Sequence, residues 1–301
     1  MLSVGTIVGG AFRLVSERPA AVLAWTAVYF LGTVAMALAM RPFARAQAMM
    51  MNGGDPQAAL AGLQAMFGGA MLLQLAFFLI YMILFAAALR AVLRPQEGGF
   101  AFIRLGGDEL RLIGLTIFIV FCFYFGFVVV AIVLTLVVVV FAAAGGPGAA
   151  MIAGLLEMFV LLGLFVWLWV RLSLALPLTF LRQTFVLAES WRLTRGRFWT
   201  LFGGYFIVFV VVAVLGTAAA AVTAGPYLQE IARGGFRLQA LQAAAQAQLA
   251  RQMAGIDAMM VAGWVLSALV GGLSLALYGG ATATAARRLA GDADGMAGTF
   301  A

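Results

Sequence analysis

Two groups of residues in this chain have types and spacing that could do chemistry. The first is Glu157, the one acidic residue inside a long apolar run. A carboxylate in hydrocarbon costs at least about 2.5 kcal/mol on insertion scales, so it must face protein or water, pair with a cation, or carry a proton. One reading makes Glu157 a proton or substrate site, with Gln74 of an earlier apolar run bonding to it across helices. The other makes it a snorkelling or hydrogen-bonded residue, about two turns from Met151, and gives Gln74 a packing role. The second group is cationic. Arg182, Arg192, Arg195 and Arg197 are interleaved with Trp191, Phe198 and Trp199. Guanidinium groups at headgroup level attract anionic phosphate, and aromatic rings anchor at the same depth. Plain topology anchoring would use the same residues.

Other constellations are excluded or weak. The chain has no histidine and one cysteine, which removes Ser-His-Asp triads, Cys-His dyads, ordinary zinc sites and intrachain disulfides. It has no nucleophile turn of the GxSxG type, so no enzymatic activity, metal or cofactor is expected. Cys122 lies in an apolar run and reads as a small core hydrophobe. Residues 49–51 are consecutive methionines, which with Met36 and Met40 suggest soft copper(I) ligands. Consecutive residues scatter around a helix, however, and flexible apolar filling is the better reading.

The elements that must position these groups are membrane helices. Of the residues, 65% are hydrophobic and 10% charged, against roughly 25% charged in soluble domains. A soluble surface of that composition would aggregate. The expected fold is all-α and polytopic, a single membrane domain over residues 1–290 followed by a disordered tail, 291–301. Six spans are expected at about 20–40, 68–89, 112–141, 151–170, 200–221 and 259–281, each long enough for about 30 Å of hydrocarbon. The third exceeds the bilayer and must tilt or protrude. Residues 142–150, rich in alanine and glycine with one proline, form a tight reversal. Residues 2–18 are amphipathic, too short to span, and suited to the interface. A glutamine-rich amphipathic segment, 226–253, precedes the last span. The N-terminus lacks the basic region of a cleavable signal.

Net charge is +7 and arises without lysine. With the N-terminus inside, 13 arginines fall on inner segments and 5 (Arg41, Arg45, Arg233, Arg237 and Arg251) on outer ones, so both termini are expected to be cytoplasmic. The basic balance thus serves topology rather than nucleic acid. Expected partners are membrane lipids, together with a membrane-protein partner or a second copy of this chain. Arg-Leu pairs stand before each odd-numbered span, Arg13-Leu14, Arg104-Leu105 and Arg192-Leu193. Their spacing of about 90 residues suggests a threefold hairpin repeat, although any inner helix end favours arginine and an aromatic.

The central stretch carries a resemblance. Ser190, Trp191, Leu193, Thr194, Arg195, Gly196, Phe198 and Trp199 match a pattern S-W-x-L-T-R/K-G-x-F-W, preceded by Arg171 and Pro177. This resembles the membrane domain attached to some bacterial glycerophosphoryl diester phosphodiesterases, and stand-alone bacterial six-span proteins like it. The opening, from Ala11 to Pro19, is similar to the amphipathic start of those proteins. The resemblance implies a bacterial inner-membrane protein. It does not imply phosphodiesterase activity, because that catalytic domain uses histidines and metal-binding carboxylates that have no counterpart here. The expected function is non-enzymatic: contact with anionic headgroups or a membrane partner through the Arg/Trp belt. The alternative is a transporter or channel for a small or lipid-like solute, using Glu157.

Overall fold

The computed structural model describes residues 2–42, 56–223, 225 and 255–299. Residues 49–51, the segment 226–253, and Arg45, Arg233, Arg237 and Arg251 lie outside the described residues. All regular structure described is helical. The helices are α1 (Val4–Glu17), α2 (Pro19–Ala39), α3 (Pro56–Leu93), α4 (Gly107–Leu172), α5 (Ala175–Arg182), α6 (Leu187–Thr194), α7 (Phe198–Thr223) and α8 (Ala258–Thr299). Among the described residues, five helical segments are long and apolar enough to cross a membrane.

The third of these is two arms. A straight helix of 66 residues would measure about 100 Å, some three times the hydrocarbon thickness. It folds at Gly146, whose φ of 72° and ψ of −166° are closed to side-chain-bearing residues. Pro147 follows, where a helix start has no use for the missing N–H. The arms then pack antiparallel. Thr135 Oγ1 donates to Glu157 Oε1 at 2.9 Å, and the Phe123 and Phe165 rings meet edge-on at 5.4 Å. The expected reversal at 142–150 is therefore a single-residue fold with helix on both sides, and the expected spans 112–141 and 151–170 are its arms.

Helix α3 carries the expected second span, its apolar stretch running Met71–Leu93. Helix α8 runs on to Thr299, so residues 291–299, expected as a disordered tail, are helical.

Helix α8 is the hub, packing against α1, α2, α3 and α7. In lipid, helices gain little by hiding apolar faces, so close backbone approach supplies the contact energy. Small residues make that possible. A Cβ on Gly280 would lie 2.8 Å from the Gly10 carbonyl oxygen, and one on Gly279 would lie 2.7 Å from Ala88 Cβ. Helix α1 crosses the ends of α7 and α8, with Ile7 against Gly204 and Gly10 against Thr284. Its inner face is Ile7, Gly10, Ala11 and Leu14, all buried in protein, while Phe12 remains 46% exposed. The amphipathic N-terminus thus covers the bundle instead of floating free on lipid.

The threefold pattern is uneven. Leu14 and Leu193 are buried on short helices, whereas Leu105 is 80% exposed in non-helical chain.

Candidate functional site

The site is built where the second arm of α4 ends. Its last carbonyls lack intrahelical donors. Ser190 Oγ of α6 donates to the Arg171 carbonyl at 3.0 Å, and Arg171 Nη1 returns a bond to the Trp191 carbonyl at 3.5 Å. The guanidinium of Arg171 sits over the Trp167 and Trp191 rings at 5.6 and 5.5 Å, which themselves meet edge-on. Ser190, Leu193 and Thr194 form the inward face of α6. Leu193 packs among Val170, Leu174, Leu178, Leu201 and Leu289. The break between α4 and α5 falls at Ser173–Leu174. Pro177 lies in the first turn of α5, where its missing N–H is tolerated; it does not kink the spanning arm.

A turn then redirects the chain. Arg195 is extended at φ −64° and ψ 128°, Gly196 is left-handed at φ 78°, and Arg197 N donates to the Thr194 carbonyl at 3.2 Å. This is a type II turn, which needs glycine at its third position. It delivers the chain into α7, whose first intrahelical bond joins Leu201 N to the Arg197 carbonyl. The leading N–H groups of α7 therefore carry the positive end of the helix dipole toward the turn.

Arg192, Leu193, Arg195, Gly196, Arg197 and Ala293 line a groove of about 500 Å³. Among the described residues, none of these three arginines has an acidic partner. Their neighbour Arg182 is committed: its Nη2 bonds Asp294 at 2.7 Å and Glu189 at 3.2 Å. Of the residues expected at this site, Arg192, Arg195 and Arg197 are thus brought together. Arg182 is neutralised beside them, Trp191 is stacked on Arg171, and Trp199 is 76% exposed at the head of α7.

Glu157 and Gln74 are not brought together. Glu157 is bonded within the α4 hairpin, and Gln74 is exposed on α3. Cys122, expected in the core, is exposed on the hairpin, where lipid can cover an apolar face just as protein would. Among the described residues, no group of acidic or sulfur side chains is arranged to hold a metal ion.

Sequence reasoning missed a buried ionic network at the base of the hairpin. Arg90 of α3 and Glu109 of α4 form an ion pair with both side chains about 3% exposed. Arg90 Nη1 also donates to the Phe102 carbonyl at 2.7 Å. Arg94 bonds Asp108 at 3.0 Å and the Phe180 carbonyl at 2.6 Å, and Arg111 closes on Asp108 at 2.8 Å. The turn between α3 and α4 is shaped for this. Ala101 and Phe102 hold φ values of 51° and 60°, an unfavourable conformation for L-residues. In return the Ala101 carbonyl accepts from buried Trp25 Nε1 at 2.8 Å. The signal lay in Arg90 and Arg94, one helical turn apart, followed by adjacent Asp108 and Glu109.

Fold and site together define an all-α polytopic membrane protein with a cationic groove at the end of the bundle that carries α1, α5 and α6. Comparison with protein-family models, with curated proteins and with solved structures finds no match.

Proposed function

We propose that this chain is a non-enzymatic integral protein of a bacterial inner membrane that engages anionic lipid headgroups on its arginine-rich, cytoplasmic face. The observation that carries this reading is the groove of Arg192, Arg195 and Arg197. Three arginines line one concavity and, among the described residues, have no acidic partner, while Arg182 is paired with both Glu189 and Asp294. Uncompensated like charge on one groove favours an external anion. Headgroup phosphate is the anion available at that depth, and Trp191 and Trp199 fit the aromatic anchoring of the same layer. The resemblance to a phosphodiesterase-associated membrane domain fits a membrane module of this kind.

The test is the triple variant R192Q/R195Q/R197Q, reconstituted in nanodiscs of mixed phosphatidylglycerol and phosphatidylcholine. Each arginine near an anionic surface contributes roughly 1 kcal/mol, so preference for phosphatidylglycerol should fall on the order of a hundredfold. Unchanged retention of phosphatidylglycerol sinks the reading.

A further inference from the structure

The groove lies at the start of α7, and the chain leads from it into a row of aromatic residues. Trp199 stands two residues after Arg197, and from it an unbroken run of rings descends one side of α7. Trp199 meets Phe202 at 6.0 Å, Phe202 stacks on Phe206 at 5.6 Å, and Phe206 meets Phe209 at 6.5 Å. Phe198 adds a stack on Phe202 at 5.9 Å. Positions 199, 202, 206 and 209 recur at helical spacing and so share a face. The fully buried face of α7 is Leu201, Tyr205 and Val208; Phe198 and Phe202 lean partly against that core, and the ladder turns outward below them. Phe206 and Phe209 remain 50% and 54% exposed.

Aromatic anchoring alone does not account for this run. Belt residues sit at the interface, whereas ten residues of helix carry the ladder about 15 Å inward. That is half of the roughly 30 Å hydrocarbon thickness, the depth of one leaflet and of one acyl chain.

We infer that the groove and the ladder form one seat for a single anionic glycerophospholipid, with its phosphate held by Arg192, Arg195 and Arg197 and one acyl chain laid along Trp199, Phe202, Phe206 and Phe209. The inference rests on the headgroup reading and deepens it, turning diffuse attraction into a site with a stoichiometry. Charge selects the headgroup, because guanidinium forks match phosphate oxygens in pairs. The contiguous rings select a lipid over a free phosphate, because a soluble anion leaves the ladder unused.

Native mass spectrometry on the full chain in micelles tests this, using three probes: phosphatidylglycerol, phosphatidylcholine and inorganic phosphate. The wild type should retain one phosphatidylglycerol per chain, resist displacement by inorganic phosphate, and release phosphatidylcholine readily. The ladder variant F206A/F209A alters only lipid-exposed rings and should bind phosphatidylglycerol about tenfold more weakly, as expected for lost ring contact. Circular dichroism and thermal unfolding would verify its fold. Undiminished binding by F206A/F209A, or displacement of the lipid by equimolar inorganic phosphate, overturns the seat. The headgroup reading survives either result and fails separately, if R192Q/R195Q/R197Q keeps its phosphatidylglycerol.

Discussion

At the scale of single residues, the same side chain does different work according to what surrounds it. Arg13 and Glu17 pair at 3.5 Å, but both are more than half exposed, and such a pair contributes about 0.5 kcal/mol or less. Arg90 and Glu109 are nearly sealed from solvent. There the attraction mainly offsets desolvation, and removing Glu109 leaves buried Arg90 with only the longer contact to half-exposed Glu97 at 3.8 Å. Glu109→Gln should therefore destabilise the protein by about 3–5 kcal/mol, read as the shift of its unfolding transition in detergent. The paired apolar substitution R90M/E109L should recover more than half of that loss, since no buried charge remains. A Glu109→Gln protein as stable as wild type would show the pair to be incidental.

Element-scale behaviour turns on where helices stop. Gly146 is the clearest case, because its backbone angles are open only to glycine. Gly146→Ala should cost about 1–3 kcal/mol, measured in the same unfolding assay. Gly148, two residues on and within helix, should tolerate alanine with little change or a slight gain. The reversal was legible in the sequence because glycine and proline punctuate a chain whatever its solvent. The spans were legible too, because hydropathy over twenty residues depends on composition alone. The left-handed Gly196 closes a type II turn, a position that glycine is suited to fill. Which faces pack was not legible. A helix such as α7 is apolar all round, so the protein-facing Leu201 and the lipid-facing Phe206 look alike in sequence. The base network was hidden for a related reason: Arg90 and Arg94 look like ordinary helix-end anchors until Glu109 and Asp108 are seen against them. The groove was half legible. Arg192, Arg195 and Arg197 were evident as a cluster, but that Arg182 is spent on Asp294 depends on α8 continuing past its expected end.

For the whole molecule, polar contacts and arginines gather at one end, and that asymmetry carries a testable orientation. The bundle is organised on α8, and among the described residues the α4 hairpin buries side chains against it at its base. Leu112 and Leu115 are buried at one end and Val170 at the other, while exposed side chains crowd the arms between. The hairpin's polar ties, Arg90 to Glu109, Arg94 to Asp108 and Ser190 to the Arg171 carbonyl, all lie at that base. So does the groove. Several of the arginines expected on one side have contacts at this end: Arg18 stacks on Phe102, Arg287 reaches the Val92 carbonyl, and Arg182 reaches Asp294. Translocating the 13 expected there during insertion is far costlier than translocating the five on the other segments. The arginine-rich end should therefore be cytoplasmic. The check is a Cys122→Ala background carrying Arg195→Cys, treated with a membrane-impermeant maleimide. Inverted vesicles should label and intact cells should not. Labelling in intact cells would reverse the orientation and place the groove among outer-leaflet headgroups, which would leave its phosphate chemistry standing but change the leaflet that supplies the lipid.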